Sequence, residues 1–340
     1  MTTQPCRTLL TVLASLGALL AAVLLSAQEK PDRPPWAQPG ASGRSKPADA
    51  QSQGQEKLQE QGARRGAIRV NTDLVNVLVS VLDEHNRPAP NLPVEAFQVF
   101  EEGVPQKIDV FEQETKLPVD LALMIDASLS AHKEIAFERD AASRFIQQVL
   151  RPEDRMAVYS FDESVTLRAA LSNNVATLQD AVRRIPDGSG TSIYDAILLG
   201  SQALQRRPSE RRRVIVLVTD AGETTSRSDF EATRNAALRG EVLLYTIVIR
   251  PVRNENGRNT AGEHALQTIT ETTGGALFFP DSMQELSIIF DRIDSELRTQ
   301  YRLAYYPYPR GPANSFRKIE VKVLEGYTAR HRTTYLTGPQ

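Results

Sequence analysis

Three oxygen-bearing side chains stand at alternate positions where the apolar run "VDLALMI" ends: Asp126, Ser128 and Ser130. A second carboxylate, Asp220, closes another apolar run, "RVIVLVTD". Thr191 sits in "DGSGTSIYDAI", after two glycines and just ahead of a helical pattern. In an extended or tightly turning loop alternate residues point the same way, so Asp126, Ser128 and Ser130 can converge. Carboxylates and hydroxyls are hard donors, and no histidine or thiolate is placed with them. That set suits Mg²⁺, with Mn²⁺ or Ca²⁺ as alternatives, rather than zinc or copper.

Neighbouring residues carry plainer readings. Asp195 falls in the first turn of a helix, where it offsets the helix dipole. Glu223 reads as a rim or solvated residue, and Asp162 in "SFDESV" as a turn residue at a strand end. The basic run "QRRPSERRR" has no interleaved aromatics and reads as a solvated turn before a strand. His132 has no partnered acid, the chain has no G-x-S-x-G, and His85, His264 and His331 form no spaced cluster. Cys6 is the single cysteine, so neither an intrachain disulfide nor a cysteine metal site is available.

The elements that must hold these oxygens lie at about 118–298. "VDLALMI", "RMAVYSF", "RVIVLVTD" and "EVLLYTIVIR" read as strands, the last two as strands buried on both faces. Between and after them come helical patterns. One carries Phe137, Ala141, Phe145 and Val149; others are "VATLQDAVRRI", "TSIYDAILLGSQAL" and "GEHALQTITETTG". "SMQELSIIFDRIDSEL" places Leu286, Ile289, Ile293 and Leu297 on one face. Such alternation predicts an α/β, Rossmann-like open parallel sheet with helices on both faces. Ligands of such sheets collect beyond the carboxyl ends of the strands, where Asp126 and Asp220 stand.

Strand-like pieces flank this region. At 67–117, Val75, Val77, Val79 and Val81 alternate with other residues, and "AFQVFEEGVPQKIDVFEQE" reads as two strands about a glycine turn. At 299–340, "QYRLAYYPYP", "FRKIEVKVLEG" and "TARHRTTYL" are three more candidates. Each piece is marginal alone, which favours one small β-sandwich with the central domain inserted into it over the alternative of two separate β appendages. Ahead of them, 1–27 reads as a signal peptide or an uncleaved membrane anchor: Arg7, an apolar stretch from Leu9 to Leu25, and Ala27 as a cleavage point. Residues 28–66 have no Val, Ile, Phe or Tyr and read as a disordered linker. With 40 Lys+Arg against 42 Asp+Glu, net charge gives no basis for a nucleic-acid or membrane-surface role.

In order and position, Asp126-x-Ser128-x-Ser130, Thr191 and Asp220 resemble the metal-ion-dependent adhesion site of von Willebrand factor A (VWA) domains. The flanks resemble the acidobacterial VWFA-related family of exported proteins. The resemblance covers about 118–298 and implies the following roles. Ser128 and Ser130 bind the metal directly. Thr191 does so when a ligand is engaged, and through water otherwise. Asp126 and Asp220 act mainly through ordered waters or as acceptors behind the direct ligands, with direct binding by one of them left open, and a Glu or Asp carboxylate of a protein partner completes the coordination. Leu129 stands where many members have glycine, which bears on loop shape. The expected function is an exported, secreted or envelope-associated protein-binding module for adhesion or complex assembly, not an enzyme. A metal-dependent hydrolase is one alternative; it lacks an evident general base and a P-loop. A structural envelope protein with a vestigial site is the other, and the intact motif argues against it.

Overall fold

The computed structural model describes residues 74–113, 116–128, 135–249 and 260–338. The segments read as signal or anchor (1–27) and linker (28–66) lie outside the described residues, as do Cys6, Leu129, Ser130 and His132. Among the described residues no helix is long and apolar enough to cross a membrane.

The chain first lays down β1 (Val75–Leu82), β2 (Gln98–Glu101), β3 (Val104–Gln106) and β4 (Val110–Glu112). It then builds the α/β layer. In chain order this is β5 (Val119–Asp126), α1 (Ile135–Val149), β6 (Arg155–Phe161), β7 (Val165–Ser172), α2 (Val175–Arg183) and α3 (Ile193–Gln205). β8 (Arg212–Thr219), α4 (Phe230–Arg239), β9 (Val242–Val248), α5 (Thr260–Thr273), β10 (Leu277–Phe278) and α6 (Met283–Arg298) follow. The sheet order is β10-β9-β8-β5-β6-β7, so β5 and β8 are adjacent central strands. Every residue of β5 is buried. Its alternating side chains serve two cores. Leu121, Leu123 and Ile125 join Phe145, Ile146, Leu178, Phe290 and Ile293 on one face. Ala122 and Met124 join Ile193, Ile197, Leu204, Leu266 and Ile269 on the other.

The sheet is mixed rather than wholly parallel, because β7 pairs antiparallel with β6. Only residues 162–164 separate the two strands. A parallel crossover needs a dozen residues or more, so this link can only form a hairpin. α4 has no strong apolar stripe in sequence. Its signals are local: Asp229 accepts from the Ala232 amide, and Gly240 ends the helix. Gly275 lets the chain run against β9, since a Cβ there would lie 1.7 Å from the Leu244 carbonyl oxygen.

After α6 the chain returns to the first strands through β11 (Tyr301–Tyr305), β12 (Phe316–Lys322), β13 (Thr328–His331) and β14 (Thr334–Leu336). Two four-stranded sheets result, β13-β1-β11-β4 and β14-β12-β2-β3. Val75, Val77, Val79 and Val81 pack between them with Phe97, Tyr301, Tyr305, Ile319 and Tyr335. "TARHRTTYL" is therefore two strands in different sheets, not one. The break falls at Arg332–Thr333, where the Thr333 amide donates to the Thr272 carbonyl of α5. Ser80 is buried as well, because this part of β1 meets the α/β layer and Gln300 donates to its hydroxyl at 3.2 Å.

Candidate metal centre

Asp126 is the last residue of β5, and Asp220 directly follows β8. Parallel pairing in register, Ile125 opposite Val218, brings both strand exits to the same edge. Asp126 is fully buried and bridges the two strands: one carboxylate oxygen accepts from the Thr219 hydroxyl at 2.7 Å. Its other oxygen accepts from the Ser128 amide at 3.0 Å and the Ser128 hydroxyl at 2.7 Å. The Ser128 hydroxyl also lies 3.2 Å from the Thr191 hydroxyl. Asp126, Ser128 and Thr191 thus form a continuous line of oxygens from two separate loops. Asp220 is half-buried and turned partly inward on its own loop, accepting from the Gly222 amide at 2.8 Å. Burial pushes the Asp126 carboxyl up to about 6, helped by the nearby Asp220 charge, while hydrogen bonds from Ser128 and Thr219 pull the other way.

The loop carrying Thr191 is fastened on both sides. The Gly188 amide donates to the Ala127 carbonyl at 3.2 Å, which ties the loop to the β5 exit. Gly188 leaves no room for a side chain, since a Cβ would sit 2.7 Å from Asp162 Cβ. On the other side the Thr191 carbonyl accepts from the Thr224 and Thr225 amides at 2.9 and 3.2 Å. The Thr191 amide donates to the Thr224 hydroxyl at 2.8 Å. Thr191 is therefore held by its backbone, which leaves its hydroxyl to face Ser128.

Glu223 and Asp195 lock the same pair of loops together. Glu223 accepts from the Tyr194 amide at the start of α3 and from the Ser226 amide and hydroxyl. Asp195 accepts from the Arg227 and Ser228 amides at 3.0 and 2.9 Å. Burial pushes the Asp195 carboxyl up, but these amides more than offset it and hold it below the usual carboxylate range. Both acids position the loops, beyond the dipole and rim roles read from sequence. Thr219 and Thr224 were missed altogether; the only sequence signal for Thr219 is its place as the last polar residue before Asp220. The basic run is a turn before β8 as read, with Arg206 and residues 208–210 exposed, but not all of it is solvated. Arg207 and Arg211 pair with the buried Asp120 at 2.8 and 2.6 Å, and Arg212 is 4 % exposed. A carboxylate buried at the start of β5 requires such partners.

Four of the five residues read from sequence are described, and three of them are linked in series, Asp126 to Ser128 and Ser128 to Thr191. No Lys, Arg or His forms an ion pair with Asp126 among the described residues. A buried carboxylate left without a cationic side chain, beside two hydroxyls, fits a hard divalent ion. Among the described residues no three His, Cys, Asp or Glu side chains converge as a metal cluster, so hydroxyls are indispensable to any such set.

Residues 121–223 match the family model of the von Willebrand factor type A domain. That span runs from β5 through the Asp220–Glu223 loop, and the α/β layer has the VWA fold. No curated protein matches the chain. Among solved structures the chain is similar to a von Willebrand factor type A protein from Catenulispora acidiphila. The identity is 11 %, covering 79 % of this chain and 74 % of that one, with a TM-score of 0.47. It is similar to the conserved hypothetical protein BatB from Bacteroides thetaiotaomicron, at 18 % identity over 53 % of this chain and 100 % of that one, TM-score 0.42. Proximal thread matrix protein 1 from the mussel byssus, with a zinc-occupied MIDAS motif, is 17 % identical over 58 % of this chain and 49 % of that one, TM-score 0.45.

Proposed function

We propose that a VWA layer with these oxygens at its edge makes this chain an exported, divalent-metal-dependent protein-binding module rather than an enzyme. The observation that carries the reading is the line from Asp126 through the Ser128 hydroxyl, at 2.7 Å, to the Thr191 hydroxyl, at 3.2 Å. Ser128, Ser130 and Thr191 would hold the ion through their hydroxyls. Asp126 and Asp220 would supply the anionic charge, mainly through ordered waters. Mg²⁺ is the ion we favour, with Mn²⁺ or Ca²⁺ as alternatives. When bound, the ion supplies an electrophilic position that a Glu or Asp carboxylate of the partner completes. Few direct carboxylate ligands keep that position electron-poor, so an acidic partner is preferred. The chain's own work is to hold the loops: Glu223, Asp195 and the Thr191 backbone fix the rim against which a partner would dock.

Calorimetric Mg²⁺ titration tests the metal. The wild type should bind, and Asp126→Ala should not, with circular dichroism unchanged. An Asp126→Ala protein that bound Mg²⁺ as tightly as the wild type would refute the site. Capture of partners with and without EDTA tests the bridge; partner binding that survives EDTA removes it. Turnover in a phosphatase and esterase panel would replace the binding module with a hydrolase.

A further inference from the structure

At the amino ends of β8 and β9, where these strands meet β1 and β11, lies a cleft of about 380 Å³. That is within the range of small-molecule sites, about 300–1,000 Å³. Leu78, Leu238 and Val242 give it apolar walls, and Arg213, Arg302 and Arg332 line it with guanidinium groups. Two of those charges are balanced. Arg302 pairs with Glu112 at 2.7 Å, and Arg332 with Glu241 at 2.7 Å. Arg213 is different. It is half-buried and donates only to the Gly240 and Arg207 carbonyls, at 2.9 and 2.7 Å. Its buried neighbour Arg212, also on the lining, is held by the Leu117 carbonyl and the Gln300 amide oxygen. Among the described residues neither has a carboxylate within ion-pair distance.

Carbonyl oxygens hold the terminal nitrogens of Arg213, but among the described residues its Nε–H has no partner and its positive charge no carboxylate, in a partly dry place where that is unfavourable unless an anion joins it. The terminal nitrogens of Arg213 each carry a second N–H. The walls are also fixed in advance: Arg332 reaches from Glu241 to the Asn76 carbonyl at 2.6 Å, pinning β1 to the turn before β9. We infer that this cleft binds a small anionic amphiphile, a carboxylate on an apolar body. The carboxylate faces Arg213, and the apolar body lies against Leu78, Leu238 and Val242. This site is independent of the proposed metal centre, which lies at the carboxyl ends of the strands.

The test is titration calorimetry of the full chain with decanoate and with decanol, paired with hydrogen exchange. Decanoate should bind one to one, with decanol at least about tenfold weaker, the size expected for losing a charge-assisted hydrogen bond. On the unaltered chain, decanoate should slow exchange at 76–78 and 237–243. Arg213→Gln should weaken decanoate about tenfold on the same ground. Leu78→Trp, which fills the cleft, should abolish binding, and both variants should keep the wild-type Mg²⁺ response. Equal affinity for decanol and decanoate would remove the anion from the proposal. Slowed exchange only outside those segments, or no decanoate binding by the unaltered chain, would overturn it entirely.

Discussion

At the residue scale the candidate centre is a matter of hydroxyls aimed by backbone. Asp126, Ser128 and Thr191 were legible because their spacing and strand context are local properties of the sequence. Thr219 was not, because its value comes from a contact 93 positions away, at 2.7 Å from the Asp126 carboxylate. Asp195 does stand in the first turn of α3 as read, but the further role it shares with Glu223 was hidden for the same reason: nothing in their neighbourhoods shows that backbone amides of a second loop donate to them. Thr219→Val keeps the shape of that side chain and deletes its hydroxyl. A hydrogen bond to a charged group is worth about 1.5–3 kcal/mol, so Mg²⁺ affinity should fall by roughly one to two decades. Calorimetry on the folded variant checks this, and unchanged affinity would make Thr219 a bystander. Thr191→Ala should behave differently. Its backbone still ties the two loops, so the fold should survive. Partner binding should weaken more than Mg²⁺ binding, and equal losses would make Thr191 an ordinary structural ligand.

At the element scale, long periodic segments were readable and short or polar ones were not. β5, β8 and β9 announce themselves as apolar runs because both faces are covered. β7 escaped because its burial is patchy at the sheet edge, and α4 because its mean character is polar. What starts these helices is a single cap. Asn174 accepts from the Thr177 amide at 3.1 Å at the head of α2. Asn174→Ala should therefore lower stability by about 1 kcal/mol in urea melts. His331 in β13 is a second local device. Its Nε2 accepts from the Val321 amide at 3.0 Å, and Nδ1 faces the Arg332 carbonyl at 2.8 Å, so the neutral ring with its proton on Nδ1 satisfies both. Burial holds its pKa below the ordinary 6.5, against weaker pulls from the Arg332 carbonyl and Glu320. The unfolded chain then takes up the proton more readily, so this contribution is full above about pH 6.5 and is lost as pH falls below it. Urea midpoints at pH 7.5 and pH 5 should differ more for the wild type than for His331→Gln. An equal pH dependence would count against the assignment.

At the scale of the whole molecule, the two flanking β pieces are one body. That they belong together was read from the marginal size of each piece, since alternation shows a buried face but not what covers it. In the structure β11 lies between β1 and β4, and β12 pairs with β2. Deleting 301–340 removes the strands opposite Val77, Val79 and Val99, all at most 2 % exposed. The shortened chain should aggregate, or lose protease resistance across 75–112. A soluble product still protected there would mean that the first four strands fold by themselves.

The register of β1 against β11 has a mechanical consequence. Val75 pairs with Tyr305, and Val79 with Tyr301, the residue through which the α/β layer is joined to the sandwich. Tension applied to the chain ahead of Val75 and resisted by a partner held at the far edge of the sheet enters and leaves this ladder at opposite ends. Along the strand axis that is shear, which loads the rungs together, not peeling, which breaks them one at a time. The protein would then resist a pull between the chain ahead of Val75 and the far sheet edge with the whole ladder, and single-molecule stretching from the two geometries should give a higher rupture force for this one than for separation across the β1–β11 seam.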